Sequence, residues 1–207
     1  MAGMPGYPRV DDPNSRDRFL KRAIVVGGTL LAGGAVVGSL PRLASSAQSP
    51  EQDAEIFNFA LLLEQLQAAL YDESVAQAAL PAELLEFATV ASGHERQHVS
   101  YLREALGMSG REAPATDFGE ATTDPEAFAA AAASLEDLAV AAYNGQAANL
   151  TAAGLQAAAT VVSVDARHAA WVRAIAGRPP ASQAVDTPLS RAEVEERLDE
   201  IGFIREA

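Results

Sequence analysis

Six residues carry the chemistry of this chain: Glu64, Glu95, His98, Glu136, Asp165 and His168. They fall into two copies of one pattern. LEQLQAALY (63–71) matches LEDLAVAAY (135–143), which aligns Glu64 with Glu136 and Tyr71 with Tyr143. HVSYLREALG (98–107) matches HAAWVRAIAG (168–177), which aligns His98 with His168 and Arg103 with Arg173. Three residues before each histidine stands an acid, Glu95 or Asp165. The first acid precedes the second by 31 residues in one copy (64 to 95) and by 29 in the other (136 to 165). Residues three apart share a helix face, so each acid-x-x-His pair can reach one ion. A single pair of this kind is most often a surface pair. Its duplication gives it weight, because two of only three histidines occupy equivalent places. Four carboxylates and two imidazoles with no sulfur suit iron or manganese, and zinc is possible.

The neighbours of these residues are apolar. Leu61, Ala68 and Tyr71 lie on or near the face of Glu64, and Leu135, Leu138, Ala142 and Tyr143 do the same for Glu136. The acids therefore sit in apolar stripes, where a lone carboxylate is costly and a cation compensates it. His94 has no counterpart, since Val164 fills its place in the other copy. It reads first as a surface residue, with an extra ligand or a base behind the ligands as alternatives. Tyr71 and Tyr143 read as core residues whose hydroxyls bond to the buried acids, the alternative being electron carriers near metal. Trp171, Tyr101, Arg103 and Arg173 read as packing and ion-pair residues.

Four long helices position these groups. The first spans about Pro50 to Gln77, with Ser49 as its N-cap and proline in its first turn. The second starts near Pro81 and ends at Gly107, a natural C-cap. Asp124-Pro125-Glu126 opens the third, which runs to about Asn149. The fourth runs from about Thr151 to Ala176 and ends at Gly177. A short tail helix begins at Ser190, where Ser190 and Glu193 form a capping box. Few residues join helices one and two, or three and four, so each pair is an antiparallel hairpin. Between the hairpins lie 16 residues, 108–123. Extended, they reach about 50 Å, whereas a helix of about 25 residues is about 38 Å long. The connection can therefore cross the whole bundle and leave helices two and three parallel. The expected fold is an all-α four-helix bundle of two hairpins joined by one long crossover, the ferritin-like arrangement.

Composition agrees. Hydrophobic residues make up 49% of the chain but aromatic ones only 6%, and alanine, the best helix former, supplies much of the difference. The absence of cysteine excludes disulfides, thiol catalysis and iron–sulfur clusters. Residues 1–47 hold six basic and three acidic residues, leaving nine basic and 25 acidic in the remainder, or −16. That surface repels nucleic acid and anionic lipid and tolerates cations. The N-terminus reads as an address rather than part of the fold. SRDRFLKR (15–22) precedes an uncharged, glycine-rich apolar stretch at 23–40, and small residues follow at Ser45 and Ala47. Ser15, Arg16, Phe19, Leu20 and Lys21 resemble the twin-arginine export signal, with Asp17 in place of its second arginine. Export to the periplasm, cell envelope or medium is expected, with 23–40 as an alternative membrane anchor. The chain thus divides into 1–47 (signal or anchor), 48–177 (bundle) and 178–207 (extension with a short helix).

VVSVDARHAAWVRAIAG and LEDLAVAAYNG resemble the V-E-A-R-H-A-A and F-E-D-x-x-x-x-A-Y-x-G patterns of an exported bacterial ferritin-like domain family, some of whose members are described as desiccation-related. The resemblance covers about residues 52–177. It implies a di-iron or di-manganese centre held by Glu64, Glu95, His98, Glu136, Asp165 and His168, with Asp165 shorter by one methylene than the usual glutamate. Two functions compete: oxidation of Fe(II) or consumption of peroxide with O2 or peroxide at the metals, and a non-enzymatic bundle of envelope stress or desiccation in which metal is structural or absent. No sequence feature marks a many-subunit storage shell.

Overall fold

The computed structural model describes residues 48–205. Among the described residues five α-helices follow one another: α1 (Pro50–Gln77), α2 (Ala82–Leu106), α3 (Pro125–Gln146), α4 (Ala152–Ile175) and α5 (Arg191–Ile201). Their starts are chemically marked. The Ser49 side chain accepts from the Gln52 amide, Asp124 from those of Glu126 and Ala127, and Thr151 from that of Gly154. Ser190 and Glu193 form the full capping box. One boundary differs from the sequence expectation. The third helix leaves α geometry at Gln146 and continues as a 3-10 turn, Ala147–Asn149. Helix α1 closes on Ala78, a non-glycine in the left-handed region (φ 50°).

The connections fix the directions. From Asn58 to Glu73 the crossover runs along α1. The Arg111 amide donates to Asn58 Oδ1 (3.0 Å), Gln65 Nε2 donates to the Arg111 carbonyl (3.0 Å), and Thr122 Oγ1 donates to Glu73 (3.5 Å). The chain therefore leaves α2 near the start of α1 and enters α3 near its end. Tyr71, late in α1, bonds to Glu136 in mid-α3, and Tyr143, late in α3, bonds to Glu64 in mid-α1. Helices α1 and α3 are thus antiparallel, and α2 and α3 are parallel, as the loop length allowed.

Two apolar clusters fill the two ends of the bundle. At one end are Leu66, Leu70, Phe87, Phe128, Leu135 and Val172, and at the other Phe57, Leu61, Leu102, Leu150 and Val161. Each large side chain so buried contributes about 1.5–3 kcal/mol. The polar sextet lies between the clusters, at mid-helix. The extension after α4 returns to cover the bundle. Its Leu189 amide bonds to the Ala141 carbonyl (3.0 Å), Val194 and Leu198 are buried, and Phe203 and Arg205 exchange backbone bonds with Asp117 and Ala115 on the crossover. Among the described residues the only β pairing is the isolated bridge Thr116–Ile204. No described helix is long and apolar enough to cross a membrane. The signal or anchor expected at 1–47 lies outside the described residues.

Candidate metal centre

Each helix of the bundle supplies part of the site. Helix α1 brings Glu64, α2 brings Glu95 and His98, α3 brings Glu136, and α4 brings Asp165 and His168. All six sequence-expected residues converge. The four carboxylates are 0% exposed, His98 is 9% and His168 3% exposed. His98 Nδ1 lies 3.1 Å from Glu64, 2.9 Å from Glu95 and 3.5 Å from Asp165. His168 Nδ1 lies 2.8 Å from Glu95 and 3.3 Å from Glu136.

The donor atoms form two overlapping groups: Glu64, Glu95, His98 and Asp165, and Glu95, Glu136, Asp165 and His168, each within 4.8 Å of one another. Ligands about 2.0–2.2 Å from a common ion stand up to about 4.4 Å apart. Each group therefore needs only a few tenths of an ångström of contraction to close on one ion. Glu95 and Asp165 belong to both groups, so the shorter aspartate still reaches the shared position. Several buried atoms here accept or donate no hydrogen bond: both Asp165 oxygens, Glu136 Oε2, Glu95 Oε1 and His168 Nδ1. The last two approach to 2.8 Å without forming an aligned bond. Buried polar groups are almost always partnered. A convergent set of unpartnered ones is what cations fit.

Electrostatics point the same way. Burial pushes Glu64 up to about 8, and the charge of Glu95 adds to this against the pull of His98. Burial likewise raises Glu136 to about 7, opposed by His168. Asp165 rises well above the carboxylate range through burial and the charges of Glu64, Glu95 and Glu136. Burial alone would raise Glu95 too, but the His168 imidazole 2.8 Å away and the hydrogen bond from His98 overcome it and hold the group at about 2. Both imidazoles resist the neutralising effect of burial because of those carboxylates, His98 at about 10 and His168 at about 9. Without metal, the centre stays near neutrality by holding protons.

The surrounding residues fill the expected roles except Tyr101, which was expected to pack, and there is one addition. Tyr71 donates to Glu136 (2.5 Å) and Tyr143 to Glu64 (2.9 Å), each reaching across to the other hairpin. Trp171 packs edge-on against Phe87, Arg103 pairs with Glu112 and Arg173 with Asp137, while Tyr101 is exposed. His94 is on the surface as read, yet its Nδ1 lies 2.9 Å from His168 Nε2. The signal for this was its i, i+4 spacing from His98, which places it on the side of α2 that meets α4. His94, Gln97 and His98 of α2 and Val164, Arg167, His168 and Trp171 of α4 line a cleft of about 400 Å³. The imidazole edge of the sextet faces this cleft, and the carboxylates lie behind it.

Fold and site together define an antiparallel four-helix protein with a carboxylate–histidine core built from two duplicated hairpins. The family model described as ferritin-like domain matches residues 52–178, and the chain belongs to that family. Among curated proteins none matches the chain.

Proposed function

We propose that this ferritin-like protein holds two divalent ions, iron or manganese, in its core and uses them in oxygen or peroxide chemistry outside the cytoplasm. The observation that carries the reading is the pair of overlapping four-donor groups sharing Glu95 and Asp165. When bound, the metal pair supplies the redox couple that oxygen or peroxide reduction requires. The chain's own residues do the rest. Glu64 and His98 would hold one ion and Glu136 and His168 the other, with Glu95 and Asp165 belonging to both donor groups. Tyr71 and Tyr143 each anchor one oxygen, of Glu136 and Glu64 respectively, and would supply an electron through those bonds. Full burial of the carboxylates excludes bulk water and leaves the α2–α4 cleft as the approach for a small reactant. The basic, then apolar, then small-residue composition of residues 1–47 supports export.

The test is metal content by mass spectrometry on the full chain, purified without chelator and loaded anaerobically with Fe(II) or Mn(II), beside Glu95→Ala/His168→Ala. About two equivalents in the parent and few in the variant are expected. Exposure to oxygen then produces Fe(III) absorbance in the parent alone. No metal in either protein would refute the reading in favour of a non-enzymatic envelope bundle.

A further inference from the structure

The duplicated centre is not symmetric, and the asymmetry comes from one pair of positions. His168 presents Nδ1 to Glu95 and Glu136, and its other ring nitrogen, Nε2, meets His94 Nδ1 at 2.9 Å. The two rings are nearly coplanar (11°), with centroids 5.2 Å apart. That separation exceeds the N···N distance by about one ring's width, so the rings lie edge to edge along the hydrogen bond and are not stacked. His98 has the same relation to its carboxylates through Nδ1. Its Nε2, however, makes no hydrogen bond among the described residues. The repeat shows why: the residue of α4 equivalent to His94 is Val164, which cannot donate or accept, and Val164 and His98 line the same cleft.

We infer that His94 is a positioning residue that makes the two metal positions unequal, the Glu136–His168 position binding more tightly than the Glu64–His98 position. The inference rests on the di-metal reading above. The hydrogen bond at the distal nitrogen of a ligating histidine fixes which nitrogen carries the proton and how the ring is turned. With Nε2–H donated to His94, His168 offers the Nδ1 lone pair in one orientation. His98 lacks that partner and must select its tautomer and rotation on binding. Loss of such outer partners lowers metal affinity by about 10–100-fold, which sets the expected separation.

The experiment is stepwise titration of the full chain with Co(II) against a chromophoric competing chelator. Repulsion between adjacent cations separates the two steps in any case, so the diagnostic is which step each variant moves. His94→Val is expected to weaken the tighter step by about 10–100-fold and leave the other within about twofold. His94→Gln, whose amide oxygen can still accept, restores most of the loss. Val164→His, which supplies the missing imidazole, tightens the weaker step. His98→Ala deletes the weaker step and His168→Ala the tighter one, which assigns them. Circular dichroism should show unchanged helix content in His94→Val, because the replaced side chain is on the surface. If His94→Val moves neither step, or moves both equally, the inference is wrong while the di-metal reading stands. If the parent binds no Co(II), the di-metal reading fails and this inference with it.

Discussion

Loading the centre with metal should expel protons, and the structure says how many. At pH 7 the metal-free site holds a proton on His98 (about 10), on His168 (about 9), on most Glu64 (about 8) and on about half of Glu136 (about 7), while Glu95 (about 2) is ionised; burial and the neighbouring carboxylates shift Asp165 upward as well. Each group must be deprotonated to serve as a ligand. Two divalent ions should therefore displace about three to five protons at pH 7. Calorimetry in buffers of differing ionisation enthalpy counts them directly. The sign for stability follows. Unfolded carboxyls ionise near 4.5 and unfolded imidazoles lose their charge near 6.5, whereas the native groups keep their protons to about 7–10. The stabilisation from the histidines is complete below pH 6.5 and vanishes as pH rises through 9–10. The cost of ionising buried Glu64 and Glu136 grows over the same range. Across this window the native state binds more protons than the unfolded one, so metal-free stability falls as pH rises. Glu95 acts in the opposite sense, but only below its ordinary 4.5. Metal affinity rises with pH for the same reason, so the gap in melting temperature between loaded and metal-free protein should widen from pH 6 to pH 9. Release of fewer than about two protons, or a gap that narrows with pH, would refute the assignment of these groups as ligands.

Three further perturbations separate site from scaffold. Asp165→Val removes a buried carboxyl with no hydrogen bond; metal-free protein should melt about 2–4 °C higher, as about 1 kcal/mol would produce in a chain of this size, while two-ion uptake is lost. Gly145→Ala places a Cβ 1.8 Å from the Leu189 carbonyl oxygen, which should cost about 1–3 kcal/mol in denaturant melts and expose the extension to trypsin at Arg191 and Arg197. Phe128→Ala empties the centre of a cluster in which Phe128 and Phe87 meet Tyr71 edge-on. A loss of about 3–5 kcal/mol in urea unfolding is expected, together with looser Tyr71 anchoring of Glu136.

The helices were legible because local chemistry marks them: Ser49 with Pro50, Asp124 with Pro125, and Ser190 with Glu193 act within one turn of the residues they cap. The site was legible because duplication multiplies a weak signal, so that two unremarkable acid-x-x-His pairs, with Glu64 and Glu136 aligned on the partner helices, became one set of six. What stayed hidden depends on contacts between segments far apart in the chain. Aligning the hairpins compares each with the other but says nothing of how they dock, and the His94 partner, His168, is 74 residues away. The path of the extension was equally invisible. Its backbone bonds from Arg205 to Ala115 and from Asp117 to Phe203 are side-chain independent, so no residue pattern announces them.

Docking of the hairpins also explains why the centre cannot precede the fold. Neither hairpin is self-sufficient: Tyr71 of the first anchors Glu136 of the second, Tyr143 of the second anchors Glu64 of the first, and Glu95 lies between His98 of its own helix and His168 of the other hairpin. Bundle closure therefore gathers four carboxylates that repel one another when ionised. The metal-free chain meets this repulsion with protons, held by both imidazoles and by carboxyls whose ionisation burial opposes. Cations that replace those protons bind the closed bundle and not the open chain, so they stabilise it by mass action, with the logarithm of their concentration over Kd. An acidic body of charge −16 beyond residue 47 raises the local cation concentration that drives the exchange. Surface charge, crossover and buried sextet thus act on one equilibrium, the closing of two hairpins around their shared acids.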